Sequence, residues 1–162
     1  MSLSITDQKR LIAAQGYLEL GMCLDANEEL EKIDPDVRHC PEVLVVRLSI
    51  YQEMKNWDLM QTVARNLADL APDDAGVLIN LAYATRRMES IEAARVILIC
   101  ALGKHPNHPT IHYNLACYDC QLGDLESSKQ FLDHALILDP GFRAMALKDK
   151  DLEPLWGSLA GE

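Results

Sequence analysis

The sequence predicts an all-α protein built as a solenoid of stacked helical hairpins. Residues 114–140 read as two short helices joined at Gly123-Asp124. Leu125, Ser128, Leu132, Ala135 and Leu136 are striped along the second at the spacing of one helix face. The same order lies thirty-four residues earlier: Asn80-Leu81-Ala82 under Asn114-Leu115-Ala116, Ala94 under Ser128, Leu98 under Leu132, Ala101 under Ala135 and Pro106 under Pro140. It returns once more as Trp57, Ala64, Leu67 and Pro72. One hairpin cannot bury both of its faces, so units of this kind must stack. No strand pattern, low-complexity tract or long linker interrupts the series.

In chain order, the first helix is expected over 7–20, capped by Thr6 or Asp7 and stopped at Gly21. The second, 24–33, is cut by Asp34-Pro35, because the residue before a proline is driven out of the helical region. Residues 36–40 form an irregular link. The third helix opens at Pro41, a good first-turn residue, and runs to 54. The fourth spans 56–70, the fifth follows Pro72-Asp73-Asp74 and ends near 87, and the sixth covers 90–104. His105-Pro106-Asn107-His108-Pro109 is a rigid turn before the last hairpin. Beyond Pro140, a helix is expected over 142–147 and another over 151–159, with Leu152 and Trp156 inward and the charges of 148–153 outward.

This period and these residues resemble the tetratricopeptide repeat family, whose pattern is W-x2-L-G-x2-Y, then A-x3-F, then A and P. The resemblance covers roughly residues 7–140. It divides a single domain, 1–162, into a degenerate repeat at 7–35, repeats at 41–72, 75–106 and 109–140, and a C-terminal capping helix within 141–160. The second repeat reads as one residue short near Asn56. The resemblance also implies a right-handed superhelical bend.

With 162 residues, the chain can bury a real core. Fifteen basic against twenty-five acidic residues give a net charge of −10, which argues against nucleic acid and against anionic membranes as partners. The first residues lack the basic start and apolar core of a signal peptide, and the apolar run 96–102 is too short to span a bilayer. Five cysteines without scaffold spacing suit free thiols in a reducing, cytoplasmic setting.

Two chemical readings compete with plain packing. His105, His108, His112, Cys117 and Cys120 contain one CxxC, but no second one, and Cys117 is about 140° round the helix from His112. The expectation is therefore no metal and no cofactor, with both cysteines on the inner side of their helix and turned to solvent. Catalysis lacks a phosphate loop, GxSxG or HExxH, so no enzyme is expected.

The family resemblance implies that the first helix of each repeat lines a concave channel that holds a partner's peptide. Here that lining would be Leu11, Gln15 and Leu18, then Val43, Val46, Arg47, Ile50 and Met54, then Ile79, Asn80, Tyr83, Arg86 and Arg87, then Tyr113, Asn114, Cys117 and Gln121. Tyrosines offer rigid contact area, asparagines pair with a peptide backbone, and three arginines bring positive charge into an acidic protein, so an acidic or mixed apolar–acidic segment is expected. One branch of the family clamps a C-terminal carboxylate with Lys and Asn, then Asn, then Lys and Arg. Leu11, Gln15, Arg47, Gly76 and Asn80 stand at those places, which disfavours a chaperone-tail co-receptor.

The sixth helix breaks the pattern of polar outer faces. Where neighbouring repeats carry Thr62, Arg65 and Asn66, or Gln130, Asp133 and His134, it carries Val96, Ile99 and Cys100. Adjacent apolar residues on one outer face mark a contact with a partner or a second copy of the chain, as in a homodimer. The expected function is a non-enzymatic adaptor that binds a segment of another protein. An export-type chaperone and a self-assembling structural subunit are the alternatives.

Overall fold

The computed structural model describes residues 2–161, and among them every regular element is helical. The helices are α1 (Ile5–Glu19), α2 (Cys23–Glu31), α3 (Pro41–Glu53), α4 (Trp57–Leu70), α5 (Ala75–Met88), α6 (Ile91–Lys104), α7 (Pro109–Gln121), α8 (Leu125–Leu138), α9 (Phe142–Ala146) and α10 (Trp156–Ala160), with a 3-10 turn at Lys150–Leu155. They form two compact units, Met1–Pro72 and Asp73–Glu162. None of the described helices is long and apolar enough to cross a membrane.

Local chemistry sets the helix starts. Ser4, Asn56, Asp74, Ser90 and Asp124 each accept a hydrogen bond from a first-turn amide of the helix they open, and Pro41 and Pro109 begin α3 and α7. The second helices start at Cys23, Trp57, Ile91 and Leu125, a spacing of 34 residues throughout. The second repeat is thus not short. Its turn closes because Lys55 takes the left-handed conformation, φ 54°, that Gly21 and Gly123 supply at the corresponding places in other hairpins.

Unit 1 pairs α1 with α2 and α3 with α4. Its core joins Ala14, Ala26, Leu30, Ile33, Val43, Val46 and Ile50. Helix α2 has 9 residues where α4 has 14. Arg38 occupies its truncated end: the guanidinium donates to the carbonyls of Glu31 and Ile33, groups that the missing turns would leave without partners. Just beyond that end, Asp7 accepts from the backbone amide of Asp34, tying the start of α1 to the chain leaving α2.

Unit 2 pairs α5 with α6 and α7 with α8. Ala82, Ala94 and Ala101 are fully buried in its core, where small side chains let helices approach closely. Ser128 donates to the carbonyl of Ala116 at 2.7 Å, joining α8 to α7. Asp119, 1% exposed, receives Arg95 from α6 and the Ser127 hydroxyl from α8. After α9 the chain turns back. Pro154 lies inside the 3-10 turn, so the second helix expected over 151–159 divides into that turn and α10. Leu152, Leu155 and Leu159 enter the core, and Trp156 donates to the Ala146 carbonyl.

Candidate functional site

Within unit 2, Ile79, Asn80, Tyr83, Arg86 and Arg87 share one face of α5, and Tyr113, Asn114, Cys117 and Gln121 share one face of α7. The chain itself lies on part of these faces. Residues 147–153, which we call the strap, turn Asp149, Asp151 and Leu152 inward and leave Lys148, Lys150 and Glu153 exposed. The Tyr113 hydroxyl donates to Asp149 at 2.8 Å, and the Cys117 thiol lies 3.6 Å from the same oxygen. Arg86 pairs with the Asp151 carboxylate, and the Gln121 amide donates to the Asp151 carbonyl at 3.0 Å. Tyr113 also stacks on Phe142 of α9, centroids 4.8 Å apart.

Tyr113 and Cys117 are consequently buried rather than presented to solvent, and Cys120 is buried with them. The expectation that both cysteines face water fails because the strap covers Cys117 and Cys120 lies against Ser128 of α8. Burial, reinforced by the Asp149 charge, pushes the Cys117 thiol and the Tyr113 hydroxyl well above their ordinary pKa values. Burial also pushes Tyr118 up to about 12, although the Arg86 guanidinium lies 5.3 Å over its ring.

Beside the strap, Ile79, Asn80, Tyr83 and Asn114 are partly exposed and Arg87 is exposed. Arg87 donates to the Tyr83 hydroxyl at 3.2 Å and stacks over that ring at 5.2 Å.

In unit 1, the expected lining is mostly structural. Val43, Val46 and Ile50 are core residues, because α3 packs against helices on more than one side. Arg47 donates to Glu31 at 2.7 Å, and Arg38 approaches the other carboxylate oxygen at 2.8 Å. A cavity of about 280 Å³, walled by Pro35, Leu44, Val63 and Asn66, opens beside this pair where α2 is short.

The histidines of the expected cluster are dispersed. The His105 ring bonds the Asp73 carbonyl. His112 donates from Nε2 to the Pro106 carbonyl at 2.6 Å and stacks on His134 at 4.2 Å. His108 stands at the N-terminal cap of α7. Cys117, Asp149 and Asp151 do place three ligand-type atoms within 4.8 Å of one another. Tyr113 and Arg86 already engage those carboxylates, which makes this a hydrogen-bonded contact rather than a set of open donors. On α6, Val96 is 62% and Ile99 38% exposed, with Cys100 exposed beside them.

Asp149 and Asp151, expected outward among the charges of 148–153, instead turn inward because Tyr113 and Arg86 pair with them. Their signal was the alternation Asp-x-Asp-Leu directly after a broken helix, which differs from the evenly charged surface expected of a cap.

No family model matches the chain, and no curated protein matches it. Solved structures do. PilW, described as a widely conserved type IV pilus biogenesis factor, superposes with a TM-score of 0.79 at 19% identity, over 97% of this chain and 73% of its own. MamA from Desulfovibrio magneticus RS-1 gives 0.76 at 16% identity, covering 99% of this chain and 94% of its own. A second MamA, from MSR-1, gives 0.69 at 23% identity, covering 83% and 78%. At these identities the likeness establishes the fold alone: helical hairpins of the tetratricopeptide type follow one another along the chain.

Proposed function

We propose that this chain is a non-enzymatic adaptor that holds an acidic, partly apolar segment of another protein against the first helices of unit 2. One observation carries this reading. Arg86, Tyr113, Cys117 and Gln121 together hold a short acidic stretch of polypeptide, residues 149–152, through a charge pair, a phenolic hydrogen bond and a bond to the main chain. Contacts to both side chains and main chain are those by which a surface recognises a peptide segment. Asn80, Tyr83, Arg87 and Asn114 extend the same chemistry along α5 and α7. The fold it shares with a pilus biogenesis factor fits work within a protein assembly. Five free thiols, two of them buried, suit a reducing, cytoplasmic location.

The test uses labelled peptides of one length, one acidic and leucine-containing, one basic, read by fluorescence anisotropy. The acidic peptide should bind better. Replacing Tyr83 and Arg87 together with Ala should weaken it roughly tenfold while circular dichroism stays helical. Preference for the basic peptide, or unchanged affinity in the double variant, would place binding elsewhere.

A second contact surface is proposed on α6, where Val96, Ile99 and Cys100 leave an apolar outer strip. Light scattering across a concentration series should show association that Val96→Glu with Ile99→Glu removes. A wild type that stays monomeric excludes a homodimer through this strip.

A further inference from the structure

Why should an acidic strap lie on the face that best fits a partner? A cap needs only to hide apolar surface, and α9, α10 and the end of the 3-10 turn do this with Ala146, Leu159, Trp156 and Leu155. The strap between them does something different: it sets two carboxylates against an arginine, a phenol and a thiol.

We propose that residues 149–152 are an internal ligand, and that a partner segment with two carboxylates one residue apart, followed by a leucine-like side chain, replaces them on Arg86, Tyr113, Cys117 and Gln121. The proposal rests on the adaptor reading and gives it a specificity: Asp-x-Asp-Leu is the template, because the residues turned inward are Asp149, Asp151 and Leu152 and the residue between the carboxylates, Lys150, faces solvent.

Three features make exchange feasible. The strap runs into a 3-10 turn that contains Pro154, and the hydrogen bonds of such a turn are poorer than those of an α-helix. Its ion pair is partly exposed on both sides, so water and salt weaken it. Its anchors lie outside it: Trp156 bonds Ala146 and Arg143 bonds the Leu159 carbonyl, so α9 and α10 stay tied together when the strap lifts. Leu152 opposes release, since it leaves a fully buried position. A partner's leucine at the matching place fills the same space. Because the strap is tethered, it competes at a high effective concentration, and free peptide binds the unaltered chain weakly. Anything that removes the strap therefore switches binding on.

The experiment titrates a labelled peptide of residues 147–155 into the full-length chain, with a scrambled peptide as control. Asp149→Asn with Asp151→Asn weakens the strap. This variant should bind the peptide roughly tenfold more tightly than the unaltered chain, and adding Arg86→Gln should cancel the gain. Equal affinity for the two chains overturns competition by the strap while leaving the adaptor reading standing. Absence of binding to a strap-weakened chain that remains helical overturns both. Should the variant lose helicity, amide exchange on the unaltered chain decides: added peptide should strip protection from 149–152, and unchanged protection overturns the proposal.

Discussion

The two units are built from the same hairpin but sink their paired carboxylates to different depths. Unit 1 pairs its carboxylates with arms that reach in from the surface: the half-exposed Arg10 and Lys32 meet on the buried Glu29, and Arg38 and Arg47 meet on Glu31, whose side chain is 48% exposed. Unit 2 sinks a carboxylate, Asp119, between three helices and turns two more, on its strap, inward onto α5 and α7. The contrast follows from helix length. A short α2 needs side chains such as Arg38 to finish it from outside, whereas full-length α6 and α8 close over α7 and leave inward polar groups to be paired internally. The unit with the deepest carboxylate, Asp119, is also the one that carries the proposed recognition face.

The largest expected effect tests that contrast directly. Arg95→Met leaves Asp119 buried without its countercharge and should cost about 3–5 kcal/mol in urea unfolding. Its counterpart in unit 1, Arg47→Met, removes one of two partners from a half-exposed glutamate and should cost about 1 kcal/mol or less. Similar costs for the two would erase the distinction between the units.

Packing comes next. Ala94→Leu forces a larger side chain into a fully buried helix contact of unit 2 and should destabilise by about 1–3 kcal/mol. A neutral result would mean that α6 shifts freely against α5. Lys55→Gly in unit 1 should act in the other direction, raising stability by up to about 1 kcal/mol, because glycine relieves the left-handed backbone that Lys55 must adopt.

The pH response should separate the units too. In unit 1, Asp7, Glu29 and Glu31 titrate below the ordinary carboxylate range, held down chiefly by the Ser4 hydroxyl, Lys32 and Arg47 respectively. A carboxylate with a depressed folded pKa stabilises above its unfolded value, near 4, and that stability is lost as pH falls through the folded value. In unit 2, Cys117, Tyr113 and Tyr118 are pushed up mainly by burial. The folded state then keeps protons that the unfolded state releases, so stability declines as pH rises beyond the unfolded thiol value, near 8.5. Asp73 in unit 2 and Cys40 in unit 1 pull against this division by one group each. Trp57 reports on unit 1 and Trp156 on unit 2, so variants keeping one tryptophan can follow each unit. Acid should loosen the Trp57 signal first and alkali the Trp156 signal first; coincident transitions at both extremes would contradict the division.

The repeat spacing, most helix starts and the inward alanines were legible in the sequence because they depend on local rules: capping side chains, proline, and small residues at helical spacing. Lys55 misled because nothing local distinguishes a lysine that bends backward from a missing residue. Val46 and Ile50 were misplaced on a surface because periodicity identifies an apolar face without saying how many neighbours cover it. Tyr113 and Cys117 went underground for a similar reason. Their cover comes from Asp149, more than thirty residues away, along a 3-10 turn that carries no helical period.

The central claim is that the strap is a separable occupant of the α5 and α7 face. Hydrogen exchange on the unaltered chain tests it most directly. The account predicts that amides of 149–152 exchange well before those in the middle of α7 and α8, through openings confined to the strap, and that raising salt hastens them by weakening the Arg86–Asp151 pair. Strap amides that exchange only together with α7 and α8 would make the strap part of the core and contradict the account.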